Sequence, residues 1–101
     1  TSRAMPQYLL PIHGNADSAP TSDEWSRFFG VAQQSGTFRG GSEIGKKLRI
    51  GNADSPRSSD HIVGFMRFDA EEKQTILDLL QEHSIVLHGG TVELCEMPES
   101  E

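Results

Sequence analysis

Four side chains of this sequence stand where binding chemistry would need them. His13 closes an apolar run, residues 7–13 (QYLLPIH), just before a Gly-Asn turn. An imidazole titrates near neutrality, so at the lip of a ligand site it would serve as a base or as an orienting donor. The competing account is an ordinary half-exposed strand end. Glu93 lies in residues 91–97 (TVELCEM), facing away from Val92 and Leu94. If those two point to the helices, then Thr91, Glu93 and Cys95 point to the other side of the sheet, where desolvation would raise a carboxyl pKa. Pairing with Arg67 or Arg49 is the simpler fate for Glu93. Arg39, Ser42 and Glu43 surround a double glycine and could fix an anionic or polar ligand; a solvated turn is the alternative. The candidate ligand-binding set is His13, Arg39, Ser42 and Glu93, with His13 the best candidate for a catalytic proton carrier.

Other patterns carry less. Residues 40–46 fit G-x-x-x-x-G-K, but Lys47 replaces the hydroxyl residue that would hold magnesium. Residues 46–50 then read as strand, not as the helix whose amino end must face the phosphates. The other histidines, His61, His83 and His88, match no standard zinc spacing, and no metal or cofactor is expected. His83 falls near a helix C-terminus, where positive charge is favourable. Cys95, the only cysteine, is expected to be a small buried thiol, since a nucleophile would need a base beside it. GNADS occurs at residues 14–18 and 51–55, at non-equivalent places, and reads as repeated turn chemistry.

Composition sets the frame for these residues. The chain has 101 residues, 35 % of them apolar and 24 % charged, with a formal net charge of -6. Mean hydropathy is -0.47 and the pI about 5.1. This is one domain with one modest core. An acidic surface repels nucleic-acid backbones and anionic membranes, which disfavours both as partners. No apolar run approaches the roughly 20 residues of a membrane span. One cysteine excludes an internal disulfide, and a reduced, cytoplasmic setting fits best. The domain is expected to span residues 5–98, with 1–4 a cloning remnant or disordered start and 99–101 a polar tail.

Periodicity supplies the scaffold for these candidates. Residues 7–13 and 61–68 (HIVGFMRF) read as strands apolar on both faces. Pro11 cannot donate to a ladder and is expected near a bulge or the strand end. Thr21 and Glu24 form a capping box before a helical stripe of Trp25, Phe28, Phe29 and Ala32, which Gly36 ends. Residues 37–39 read as a short strand, 40–43 as a turn and 46–50 (KKLRI) as an exposed edge strand. Asp69 is expected to cap a second helix, with Ile76, Leu79, Leu80 and His83 on its apolar stripe. Residues 91–97 make the last strand.

The order strand–helix–strand, repeated, builds a ferredoxin-like βαββαβ α+β sandwich, here with an extra hairpin strand. Both helices would cover one face of the sheet. The central strands are apolar on the other face too, a patch too large for a soluble monomer. Two copies packing sheet to sheet would solve this, so a homodimer is expected.

The segments MPQYLLPIHG, FRGGSEIGKK, HIVGFMRFDAEE and HGGTVELCEMP resemble the YCII-related family across nearly all of residues 5–98. The resemblance implies a dimeric α+β barrel of ferredoxin-like protomers. Two family features are missing. Asp54-Ser55-Pro56-Arg57 stands where many members carry Asp-Gly-Pro-Phe, and the first helix lacks the histidine of the family's His–Asp pair. The resemblance therefore supplies no catalytic pair here. Two functions remain: a module binding a small polar metabolite, with His13 carrying protons and Arg39 or Glu93 orienting the ligand, or a non-enzymatic structural or partner-binding dimerisation module. Convergent polar groups around an open cavity would favour the first, and a filled apolar interior the second.

Overall fold

The computed structural model describes residues 5–52 and 58–98. Residues 1–4, 99–101 and the Asp54–Arg57 tetrapeptide lie outside them. The chain runs β1 (Gln7–His13), α1 (Ser22–Gln34), β2 (Phe38–Glu43), β3 (Ile62–Asp69), α2 (Lys73–Leu80), α3 (Ser84–Leu87) and β4 (Cys95–Met97). It is a mixed α+β fold. The four strands form one antiparallel sheet in the order β2-β3-β1-β4, which places the two most apolar strands at its centre.

Strand alternation decides which residues meet the helices. Tyr8, Leu10 and Ile12 of β1, with Met66 and Phe68 of β3, form one core with Phe28 and Ala32 of α1, Ile76, Leu79 and Leu80 of α2, and Ile85 of α3. All three helices thus pack on one face. On the other face Leu9, Pro11, Phe65, Cys95 and Met97 are half-buried and Val63 is exposed.

α1 starts as its sequence dictates. The Glu24 amide donates to the Thr21 hydroxyl and the Thr21 amide to the Glu24 carboxylate, a reciprocal capping box. Gly36, at φ +75°, turns the chain out of the helix.

Several expectations are corrected. The double glycine is not a turn: β2 runs straight through Gly40 and Gly41, with a bulge between Phe38 and Gly40. A Cβ at Gly41 would lie 2.2 Å from the Phe65 carbonyl oxygen, so glycine here permits close approach of two strands. Among the described residues the extra hairpin strand is absent. Residues 44–50 have no regular structure, and Leu48 and Ile50 are 85 % and 89 % exposed. Alternation alone could not make this segment a strand, because neither of its faces is buried.

Asp69 ends β3 instead of capping a helix. Glu72 is the residue before α2, and its side chain makes no cap. The second helix breaks at Leu80, and His83 belongs to the next element. Its ring accepts the Ile85 amide at the start of α3, at 3.1 Å, and is fully buried. Burial pushes its pKa down to about 4, so it is neutral and not a charge at a helix end.

β4 is shorter than the strand expected over residues 91–97, and Pro11 explains why. An isolated bridge joins Ile12 to Val92 in the same register as the Gln7–Met97, Tyr8–Glu96 and Leu9–Cys95 pairs. Pro11 therefore sits opposite Glu93. Its carbonyl accepts the Glu93 amide at 3.0 Å, but it has no N–H to return the bond. The ladder is interrupted there without any slip in register.

Candidate functional site

β1 ends with His13 on the open face of the sheet, the side away from the helices. A bulge against β3 falls between Ile12 and His13, which pairs His13 with Ile62. Such an irregularity re-aims a strand-end side chain. On the other side the His13 amide donates to the Thr91 carbonyl at 3.0 Å. Glu93 is then the diagonal cross-strand neighbour of His13, within reach of a long side chain. His13 Nε2 lies 2.6 Å from Glu93 Oε2, and both side chains remain accessible, at 21 % and 52 %. The ring of His61 stands edge-on to His13, with centroids 4.9 Å apart. Asn15 locks the turn beside them: its Nδ2 donates to Thr91 Oγ1 and its Oδ1 accepts the Thr91 amide, both at 3.0 Å.

With the carboxylate ionised, the His13 proton sits on Nε2 and its Nδ1 lone pair is left to accept. This is an acid–base pair at the end of a sheet, open to a ligand from the sheet's uncovered face.

Arg39 and Ser42 do not converge on it. Arg39 gives Nε to Asp69 Oδ2 at 3.2 Å and Nη1 to the Gly36 and Phe38 carbonyls, each at 3.1 Å. Asp69 is at one end of β3 and Ile62, the partner of His13, at the other. Ser42 donates to the Glu43 carbonyl at 2.8 Å and lies across β3 from Pro11. Glu93 pairs with His13, while Arg67 reaches the Arg39 carbonyl at 3.3 Å.

A cavity of about 440 Å³ opens between α1 and the β2–β3 hairpin. Trp25, Phe29, Phe38, Gly41, Gly64 and Met66 are among the residues that line it, and Ser42 and Glu43 add polar groups. His13, Arg39 and Glu93 take no part in it. Its walls are apolar, not a convergence of histidine, arginine and carboxylate.

Sequence reasoning missed a second histidine–carboxylate pair. His88 follows α3, and its Nε2 lies 2.6 Å from Glu24 Oε2 while its Nδ1 lies 2.7 Å from Ser18 Oγ. The Glu24 carboxyl is held down to about 2, first by the Thr21 amide and then by His88. One signal was available: a capping-box glutamate uses one oxygen for the helix and leaves the other for a partner.

Among the described residues no three His, Cys, Asp or Glu side chains gather as metal ligands, and no helix is long and apolar enough to cross a membrane. No family model, curated protein or solved structure matches this chain.

Proposed function

We propose that the chain is a YCII-like domain, the ferredoxin-like protomer of a dimeric α+β barrel, which binds a small polar metabolite beside His13. The single observation that carries the site is the 2.6 Å contact between His13 and Glu93 on the open face of the sheet. Glu93 orients the His13 ring, so that Nδ1 faces outward to take a proton from a bound ligand. Arg39 is spent on Asp69, so Glu93 is the orienting partner in this reading. The strand order β2-β3-β1-β4 is the order a ferredoxin-like sandwich requires, and the half-buried apolar residues on the open face suit a second copy. The lone thiol suits a reducing cytoplasm.

The alternative is a dimerisation module with no ligand, favoured by Leu9, Pro11, Phe65 and Val63 on that same face and by the apolar walls of the cavity beside α1. Two measurements separate the readings. Light scattering is expected to return twice the 11.1 kDa of one chain, and a single-chain mass throughout a dilution series refutes the barrel. A thermal-shift screen against polar metabolites is expected to find a ligand that raises the melting temperature. His13→Gln should leave the unliganded melting temperature nearly unchanged and weaken that ligand at least tenfold. Equal binding by parent and variant, with the same pH dependence, removes His13 from the site and leaves the dimerisation module.

A further inference from the structure

The geometry points to a separate reactive centre at Ser18, a nucleophile for acyl transfer from small neutral or cationic carboxylic esters, with His88 as its base and Glu24 orienting the imidazole. It shares no residue with the His13–Glu93 pair and does not depend on that reading.

Three features carry it. The first is the order of the contacts: Ser18 Oγ to His88 Nδ1 at 2.7 Å, then His88 Nε2 to Glu24 Oε2 at 2.6 Å. A serine on one ring nitrogen and a carboxylate on the other is the arrangement that activates a hydroxyl. The second is the tautomer. An ionised carboxylate can only accept, so the Nε2 proton points to Glu24 and the Nδ1 lone pair faces the Ser18 hydroxyl. That leaves the ring ready to act as a base. Glu24 is itself fixed, because its Oε1 accepts the Thr21 amide at 2.9 Å, and its low pKa keeps it ionised at neutral pH.

The third is access. Ser18 is exposed, whereas the His88 side chain is only 19 % exposed, so an ester reaches the hydroxyl while the base stays sheltered. Asp17 precedes the serine, and Asp23 and Glu24 open α1. This negative surround disfavours anionic substrates, hence the neutral or cationic class.

The step balances with water as the only co-reactant. Ser18 Oγ attacks the ester carbonyl carbon as its proton passes to His88 Nδ1. The carbonyl carbon–alkoxy oxygen bond breaks, and the alcohol leaves with the proton from His88. Water, deprotonated by the same Nδ1, then attacks the acyl-serine. The carboxylic acid departs and Ser18 recovers its proton.

The test uses the full chain with p-nitrophenyl acetate, in a Cys95→Ser background so that the thiol is not acylated in place of the serine. Release of p-nitrophenolate above buffer is expected, with an acetyl mass on the peptide containing Ser18. Ser18→Ala should lower that release at least tenfold without moving the thermal midpoint. Glu24→Gln should lower it and shift the pH profile. His88 and Glu24 also tie the loop to α1, so Ser18→Ala, which removes one exposed hydroxyl, is the deciding variant. Equal release by Ser18→Ala, acetylation confined to lysines, or no release above buffer each overturns the assignment.

Discussion

The ring of His83 lies 4.6 Å from that of Phe28, fully buried, with an Nε2 that meets no hydrogen-bond partner among the described residues. Trp25 stands edge-on to the same ring at 5.5 Å. An imidazole in such a place is stable only when neutral. Its folded pKa, about 4, lies below the ordinary 6.5. The unfolded chain therefore binds the extra proton first. The stability that His83 contributes is fully present above about pH 6.5 and is lost as pH falls toward 4. The loss is on the order of 3 kcal/mol. Denaturant midpoints at pH 7 and pH 4.5 should fall further apart in the parent than in His83→Asn, which keeps an acceptor for the Ile85 amide. Equal differences would show that His83 does not titrate on unfolding.

Phe28 is only 2 % exposed and belongs to the same core. Phe28→Ala should cost roughly 3–5 kcal/mol by lost burial and a residual cavity. Leu48→Ser, at a leucine 85 % exposed, should change stability by less than about 0.5 kcal/mol. Chemical denaturation of both variants checks the contrast. A large loss in Leu48→Ser would mean that residues 46–50 are covered in solution.

Two glycines should respond in opposite directions to alanine. At Gly41 the new Cβ would meet backbone, the Phe65 oxygen at 2.2 Å and Met66 Cα at 2.8 Å, so β2 must move away from β3. A loss of several kcal/mol is expected, on the order of the larger single-site effects. At Gly30, inside α1, nothing lies within 4 Å of the Cβ. Gly30→Ala should stabilise by about 0.5–1 kcal/mol, through helix propensity and a more restricted unfolded chain. Thermal melts of the pair give the sign directly.

Magnesium–ATP should give no saturable heat in a calorimetric titration. Residues 40–43 are strand and 44–46 are irregular, so no helix presents its first amides to a phosphate. A micromolar dissociation constant that disappears in Lys46→Ala would contradict this.

Much of the frame was legible because local and long-range signals agreed. Thr21 and Glu24 marked the start of α1, and the Trp25–Phe28–Phe29–Ala32 spacing marked its buried side. Alternation in β1 put His13 on the open face, and alternation around Glu93 put that carboxylate there too. The failures came where one local signal had two physical uses. Gly40-Gly41 has the composition of a turn, but the pair serves close strand packing. His83 continues the helical spacing of Ile76, Leu79 and Leu80, but its ring caps the next helix. Ser18, Glu24 and His88 belong to three separate stretches of chain, and only the tertiary fold brings them together.

The central position of β1 also governs how the chain acquires its structure. Leu9 pairs with Arg67 on one side and with Cys95 on the other, both far away in sequence. Loop-closure entropy must be overcome before either contact forms, which slows folding relative to a helical bundle of this size. Until β3 and β4 pair with it, the apolar residues Leu9, Leu10 and Ile12 of β1 lack the ladders that hold them in the folded domain. Unpaired strand edges and uncovered apolar side chains of this kind are what expose a partly folded chain to aggregation.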